Sequence, residues 1–147
     1  MFKRVLLCHD GSEFGRRALK QGAELAISMG AEIHILIVLS DEPMNPAVVA
    51  GSLGHACVIG DIDSSFKDML RQSIERLKAR GVDARGHIAR GSVIESISAS
   101  AKSLAADLIV VGQYPSSGGR RWWSGPERRS LAESVDCAVL IAVNTEH

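Results

Sequence analysis

The chain has 147 residues, which suits one domain around a single core, so the expected domain spans residues 1–147. Apolar residues make up 46% of the chain and charged residues 23%, and the 17 basic residues balance the 17 acidic ones. This balance excludes a strong general attraction to nucleic acids or acidic membranes, so neither is an expected partner.

The cysteines and the N-terminal sequence indicate the compartment. Cys8, Cys57 and Cys137 are odd in number, far apart and free of C-x-x-C spacing, which argues against a disulfide framework and a zinc site. The N-terminal sequence MFKRVLLCHDGS has only four clearly apolar residues after its basic pair, too few for a secretory signal or a membrane span. A cytoplasmic protein without a metal is therefore expected.

The first part of the chain predicts a strand, a helix and a second strand. Val5 to Cys8 is a short apolar run that ends in turn residues, which is typical of a buried strand. Ser12 can cap the next helix and Gly30 can end it. Residues at helical spacing mark its inward face: Phe14, Ala18, Gly22, Leu25, Ala26 and Met29. Ile33 to Leu39 is apolar almost throughout, as in a central parallel strand.

Residues 40–60 form a predicted loop. Five residues interrupt every periodic pattern there: Pro43, Pro46, Gly51, Gly54 and Gly60. A loop of about twenty residues is long for a compact domain, and its apolar residues suggest that it folds over something. It could be a lid or a partner surface, or a packed Ω-type loop without a binding role.

The next segment predicts a helix and an edge strand. A helix that opens at Asp61 or Ser64 and ends at Arg80-Gly81 has an inward face of Phe66, Leu70, Ile74 and Leu77. Val82 to Ala89 shows weak alternation, which favours a strand near a sheet edge, although Gly86 weakens that pattern.

The last segment predicts two helices and two strands. Ser92 and Glu95 form a capping box that opens a helix ending before Asp107, with Ile94, Ile97, Ala101 and Leu104 inward. Leu108 to Val111 and Ala138 to Val143 are apolar strands, and between them a helix begins at Pro126, with Leu131 and Val135 as its thin apolar face. The alternation predicts a parallel sheet with helices on both faces, whose ligands bind beyond the carboxyl ends of the strands.

The segment after the fourth strand combines glycines, prolines, arginines and tryptophans. Gly118, Gly119 and Gly125 let backbone approach a ligand, and the following helix start favours an anion, which predicts a phosphate-bearing ligand. Pro115 and Pro126 oppose this, since Pro126 lacks an N–H donor.

A basic and aromatic cluster lies in the same segment: Arg120, Arg121, Trp122, Trp123, Arg128 and Arg129. It could be an anion site built from side chains, or a partner surface, because Trp and Arg are enriched in binding hot spots. The alternative is a solvated basic face with one tryptophan folded under the loop.

No set of residues recommends catalysis. Cys8, His9 and Asp10 are adjacent, but neighbours on a strand point to opposite faces, so Cys8 is interpreted as a core residue. His34 and His87, each on a strand, are interpreted as structural histidines. His55 and Cys57 are too few ligands for a metal site, and the P-loop signature is absent.

Four segments together resemble the universal stress protein family over almost the whole chain: RVLLCHDGS, LIVLSD, ADLIVVGQ and ESVDCAVLIAV. The resemblance implies a Rossmann-like fold of the adenine nucleotide alpha hydrolase-like type. This is a five-stranded parallel open sheet with helices on both faces and strand order 3-2-1-4-5. It also implies a homodimer through the last strand: Ala138, Val139, Leu140, Ile141, Ala142 and Val143.

The resemblance also implies where a nucleotide would bind. Members that bind ATP carry G-x2-G-x9-G-[S/T], and the same register gives Gly112, Pro115, Gly125 and Pro126 here. Asp10 would lie at the ribose and adenine side, and Val38 would offer backbone groups to the adenine. The implied nucleotide-binding residues are Asp10, Val38, Val111, Gly112, Gly118 and Gly125. The prolines replace a glycine and a Ser or Thr, so no cofactor is required and ATP is doubtful.

Three hypotheses follow. The favoured one is a non-enzymatic stress-response protein that acts as a dimer through an unidentified protein partner, with ATP binding lost or altered. The second is an adenine-nucleotide-binding switch whose phosphates are held by Arg120, Arg121, Arg128 or Arg129. The third and least supported is an enzyme such as a nucleotide hydrolase.

Overall fold

A computed structural model shows an open sheet of five strands, and it describes residues 2–9, 13–39, 59–113 and 125–143. Within these residues, four helices connect the strands. In chain order the elements are β1 (Arg4–His9), α1 (Glu13–Ser28), β2 (Glu32–Leu39), α2 (Ile59–Ala79), β3 (Ala84–Arg90), α3 (Val93–Leu104), β4 (Leu108–Gln113), α4 (Gly125–Ser134) and β5 (Ala138–Val143).

The sheet is entirely parallel and its strand order is β3-β2-β1-β4-β5, which confirms the predicted fold class and order. One apolar layer packs Leu19 of α1 and Phe66 of α2 against one face of the sheet. The other packs Ile97 of α3 and Leu131 of α4 against the opposite face. Because both faces are covered, the central strands are apolar at nearly every position.

The prediction for α1 is confirmed at its C-terminal end and wrong at one inward residue. Gly30 follows the helix with φ +66°, the left-handed conformation that glycine adopts without steric cost. Leu25, predicted on the inward face, is 40% exposed, because the face against the sheet is centred on Leu19, Gly22 and Ala26. Phe14 and Ala18 lie where no side chain is described, and Ser12 lies outside the described residues.

Helix α2 begins at Ile59, before the predicted Asp61 or Ser64, so the predicted loop ends earlier than residue 60. Residues 40–58 of that loop lie outside the described residues. The predicted inward face of α2 is confirmed, with Phe66, Leu70 and Leu77 buried and Ile74 packed beside them.

Strand β3 is an edge strand as predicted, and it starts two residues after the predicted Val82. Gly86 has a packing reason. A Cβ atom there would lie 2.7 Å from Leu70 Cγ, so only glycine lets α2 lie this close to β3.

Both ends of α3 agree with the sequence. The Ser92 side chain accepts a hydrogen bond from the Glu95 N–H at 3.5 Å, which confirms Ser92 as the N-cap. Ala105 ends the helix in the left-handed conformation with φ 53°. Helix α4 begins at Gly125, one residue before the predicted Pro126, and Leu131 on its apolar face is fully buried.

Asp107 fixes the start of β4 against the start of β1. Its carboxylate accepts the N–H of Lys3 at 2.7 Å and that of Arg4 at 2.9 Å, and its own N–H donates to the Arg4 carbonyl. Burial alone would raise the pKa of Asp107, but these backbone hydrogen bonds hold it below its ordinary value. Among the helices described, none is both long and apolar enough to cross a membrane.

Gly22 allows α1 to contact the sheet closely, which generates a stability prediction. A Cβ atom there would lie 2.6 Å from Val110 Cγ1 and 3.3 Å from Leu7 Cδ2. Alanine gains about 1 kcal/mol of helix propensity, whereas overpacking a filled core costs about 1–3 kcal/mol. Because Val110 is stiff and fully buried, we expect Gly22→Ala to lower the free energy of unfolding by about 1 kcal/mol in urea titrations.

The matched control is Gln21→Ala, since Gln21 is the exposed neighbour on the same helix and should change stability by less than about 0.5 kcal/mol. An increase in the free energy of unfolding for Gly22→Ala would contradict the close contact with Val110.

Candidate functional site

Within the described residues, strand β1 ends before both of its neighbours. Its last pairs are His9 with Ile37 on β2 and Cys8 with Val111 on β4. β2 continues through Val38 and Leu39, and β4 continues through Gly112 and Gln113. We call this edge of the sheet, formed by these four residues beside the described end of β1, the notch.

The notch lies where the order of strands reverses. From β1 the chain continues to β2 and β3 on one side, and then crosses to β4 and β5 on the other. In open α/β sheets this reversal opens a crevice beyond the carboxyl ends of the strands, where ligands bind. The predicted location of the site therefore coincides with the end of the described part of β1.

The predicted residues Val38, Val111 and Gly112 come together around the notch. Val38 and Val111 are buried in the core layer that faces α3 and α4, so their side chains are committed to packing. Val38 pairs with Ala89 of β3, and Gly112 pairs with Ala142 of β5. On the side toward β1, no described strand residue pairs with Val38 or Gly112, so backbone groups are what they can offer a ligand.

Helix α4 brings its first turn to the same end of the sheet. Because β4 and β5 are parallel, α4 runs back across the sheet, and its first residue, Gly125, lies on the side where β4 ends. Pro126 is the second residue of this helix, where an N–H would otherwise be free. The helix start is thus placed for an anion but lacks one donor.

Several predicted site residues lie outside the described residues: Asp10, Pro115, Gly118, Arg120, Arg121, Trp122 and Trp123. Arg128 is part of α4, and nothing is described of its side chain. Arg129, on the same helix, is exposed to solvent.

Cys8 is fully buried beneath the notch, as the sequence predicted. Burial raises its pKa far above the ordinary thiol value, and the nearby Cys137 adds to the effect. A thiol in this environment is neither a nucleophile nor a metal ligand. Across the described segments, no group of three or more His, Cys, Asp or Glu residues could hold a metal ion.

The two strand histidines are structural, as predicted, but their pairing was not foreseen. His34 is buried, its Nδ1 lies 3.1 Å from His87 Nε2, and its Nε2 lies 2.8 Å from Glu32 Oε1. The two-residue spacing of Glu32 and His34 on one strand was the available signal, since it places both on one face. The register of β2 with β3 could not be read from the sequence.

A separate groove of about 530 Å³ lies between α3 and the turn that leads into β5. It is lined in part by Ser98, Lys102 and Cys137, and the Ser98 hydroxyl has no hydrogen-bond partner. This groove lies toward the amino ends of β4 and β5, opposite the carboxyl ends at the notch, and does not belong to the notch.

The fold and the notch together define a doubly wound α/β protein. The sequence model of the universal stress protein family matches residues 1–142. Universal stress protein YxiE of Bacillus subtilis is 28% identical over 148 residues, covering 96% of this chain and 99% of the relative. The chain belongs to the universal stress protein family.

Solved structures show the same fold. The protein MJ0577 matches with a TM-score of 0.75 and 18% identity, covering 100% of this chain and 99% of that one. A universal stress protein in complex with cAMP matches with a TM-score of 0.65 and 22% identity, covering 98% of each chain.

The burial of Cys8 predicts low reactivity. In native protein treated with iodoacetamide at pH 8, we expect Cys8 to stay unlabelled, because alkylation needs an accessible thiolate. Cys137 is the control, since it is only half-buried and should be alkylated sooner. Peptide mass spectrometry before and after unfolding measures both. Rapid labelling of Cys8 in the folded protein would restore it as a candidate nucleophile.

Proposed function

We propose that this protein is a non-enzymatic, cytoplasmic stress-response protein that acts as a homodimer through protein partners and does not bind ATP in the manner of its nucleotide-binding relatives. The observation that carries this proposal is the position of Pro126 in the first turn of α4, beside the notch.

The chemical argument concerns the donors at the start of α4. A helix start holds a phosphate through free N–H groups and the positive end of the helix dipole. Pro126 has no N–H, and it stands where ATP-binding members have a Ser or Thr hydroxyl. The lost hydrogen bond to a charged group costs roughly 1.5–3 kcal/mol, or one to two decades of affinity.

Two further residues act in the same direction. Glu127 follows in the first turn of α4, where a carboxylate interacts favourably with the helix dipole in place of a bound anion. Pro115 replaces the second glycine of the motif, and its fixed φ restricts how closely that loop backbone can approach a phosphate. Both effects weaken triphosphate binding while leaving the notch open.

A second candidate function is an adenine-nucleotide switch. The notch retains the unpaired strand ends at Val38 and Gly112, and a solved relative of this fold holds cAMP. In this candidate the phosphate is held by side chains of Arg120, Arg121, Arg128 or Arg129 instead of by the α4 backbone.

Dimerisation through β5 rests on the edge of the sheet. β5 pairs only with β4 among the described strands, so its outer backbone groups are free to pair with another strand. Leu140, on this strand, is a large apolar side chain that is 37% exposed. A second copy related by a two-fold axis would cover both features.

The proposed loss of ATP binding is tested by thermal shift. We expect no shift for the wild-type protein with ATP, and a shift of several degrees for the double variant Pro115→Gly with Pro126→Ser, which restores the missing donors. A ligand at 100 times its dissociation constant stabilises by about 2.7 kcal/mol. Pro43→Ser is the control for a proline exchange elsewhere in the sequence, and should show no gain.

The outcomes of this titration separate the candidates. A shift of the wild-type protein with ATP, AMP or cAMP that disappears in Arg120→Ala with Arg121→Ala would favour the switch over the main proposal. An unchanged double variant would show that the prolines are not the obstruction.

The proposed homodimer is tested by light scattering after size-exclusion chromatography. We expect the wild-type protein to have the mass of two chains, and Leu140→Lys to have that of one, because a charge on an edge strand opposes pairing. Leu25→Lys makes the same change at the exposed leucine of α1 and should leave the dimer intact. A wild-type monomer, or a dimeric Leu140→Lys variant, would contradict pairing through β5.

A further inference from the structure

A chain of hydrogen bonds links β2 to β3, away from the notch. It links Glu32 Oε1 to His34 Nε2 at 2.8 Å and His34 Nδ1 to His87 Nε2 at 3.1 Å. The two imidazole planes are inclined by 24° and their centroids are 5.3 Å apart. His34 is 3% exposed, so its two ring nitrogens depend on these partners.

The number of protons on each group determines which atom donates in each of these hydrogen bonds. An ionised carboxylate only accepts, so His34 Nε2–H donates to Glu32. A neutral imidazole carries one N–H, so His34 Nδ1 is an acceptor and His87 Nε2–H donates to it. One added proton can enter at His87 Nδ1 without breaking either bond. A second must enter at His34 Nδ1, where it would face the N–H of His87.

Burial and nearby positive charges oppose charging the pair at His87. Arg4 of β1 pairs with Glu32 at 3.4 Å and also donates to the Leu104 carbonyl at the end of α3. Arg85 lies beside His34 in the register of β3. Burial, then the charge of His34, then that of Arg85 lower the pKa of His87, while the hydrogen bond from His34 lowers the pKa of Glu32.

The helices packed on β2 and β3 carry charges that are all exposed. Those of α3 are Glu95 and Lys102, and those described on α1 are Lys20 and Glu24. Those described on α2 are Lys67, Asp68, Arg71, Glu75, Arg76 and Lys78. Among them, Glu24 pairs with Arg80 and Asp68 with Arg71. The carboxylate bonded to the imidazole chain is that of Glu32.

We infer that Glu32, His34 and His87 form an acid-sensitive latch, which holds the edge strand β3 on β2 while the histidine pair carries at most one added proton and weakens when both imidazoles are charged. The latch is a regulatory device that is independent of nucleotide binding. In acid it would loosen β3, the edge of the sheet opposite β5.

The sign of the pH dependence follows from linkage. The unfolded chain binds a proton at His87 below a pH of about 6.5, whereas in the folded protein burial and nearby positive charges lower the pKa of His87. Stability is therefore fully present above this pH and is lost as the pH falls toward the native pKa. For each excluded proton, the unfolding equilibrium constant rises about tenfold per pH unit in this window.

The test compares urea unfolding of the wild-type protein and of His87→Gln between pH 7.5 and 5. The glutamine amide can still donate to His34 but cannot be protonated. In the variant, we expect the unfolding equilibrium constant to rise with acid about tenfold less per pH unit than in the wild type, because one excluded proton is removed. The free energy of unfolding at pH 7.5 should change little. His147→Gln is the control, since it removes a histidine elsewhere in the sequence, and its slope should match the wild type.

Two NMR measurements test whether the pH dependence arises at the histidine pair and at β3. The imidazole signals of His87 should titrate below the ordinary histidine range, and Arg85→Gln, which keeps both rings, should move that titration to higher pH. Amide hydrogen exchange should show β3 losing protection in acid before β5 does. Equal slopes for wild type and His87→Gln, titration of His87 at the ordinary value of about 6.5, or β3 and β5 opening together would each overturn the latch.

Discussion

The structure depends on β1, the middle strand of the five, which is paired on both sides and buried on both faces. Val5, Leu6, Leu7 and Cys8 are all at most 2% exposed, which fixes β1 as the centre of the sheet. Asp107 aligns the start of β1 with that of β4 by accepting two of its backbone N–H groups. With that end fixed, Val38 and Gly112 lie beyond the last described pairs of β1, at its carboxyl end. The position of the notch therefore follows from strand register.

Strand register determines the shape of the site independently of which groups the site offers to a ligand. Strand register places Val38 and Gly112 at the notch, and the parallel crossover brings the start of α4 to the same end. None of these features depends on whether residue 126 has an N–H. A family member can therefore keep the family's crevice while a single proline changes what the crevice can hold. The proposed loss of ATP binding requires no change in the fold.

Much of this fold was predictable, because its signals are local. Apolar runs marked the central strands, Gly30 marked the end of α1, and Ser92 with Glu95 marked the start of α3. The errors arose where packing overrides local pattern. Leu25 fits the helical period but faces solvent, since the inward face of α1 is set by the close contact at Gly22.

The candidate site was predictable only in its position. Residues that end parallel strands meet at one edge of a sheet, so Val38 and Gly112 could be placed together from the sequence. The link between His34 and His87 could not, because it requires the register of two strands separated by a long segment of chain. Register is set by packing of whole elements and leaves little trace in a single sequence.

The central claim is that the notch beside Pro126 does not retain ATP. The most direct measurement is to unfold the purified protein and identify released nucleotides by chromatography and mass spectrometry, without adding any ligand. We predict that no adenosine triphosphate is released in proportion to the protein. Release of one ATP per chain would contradict it.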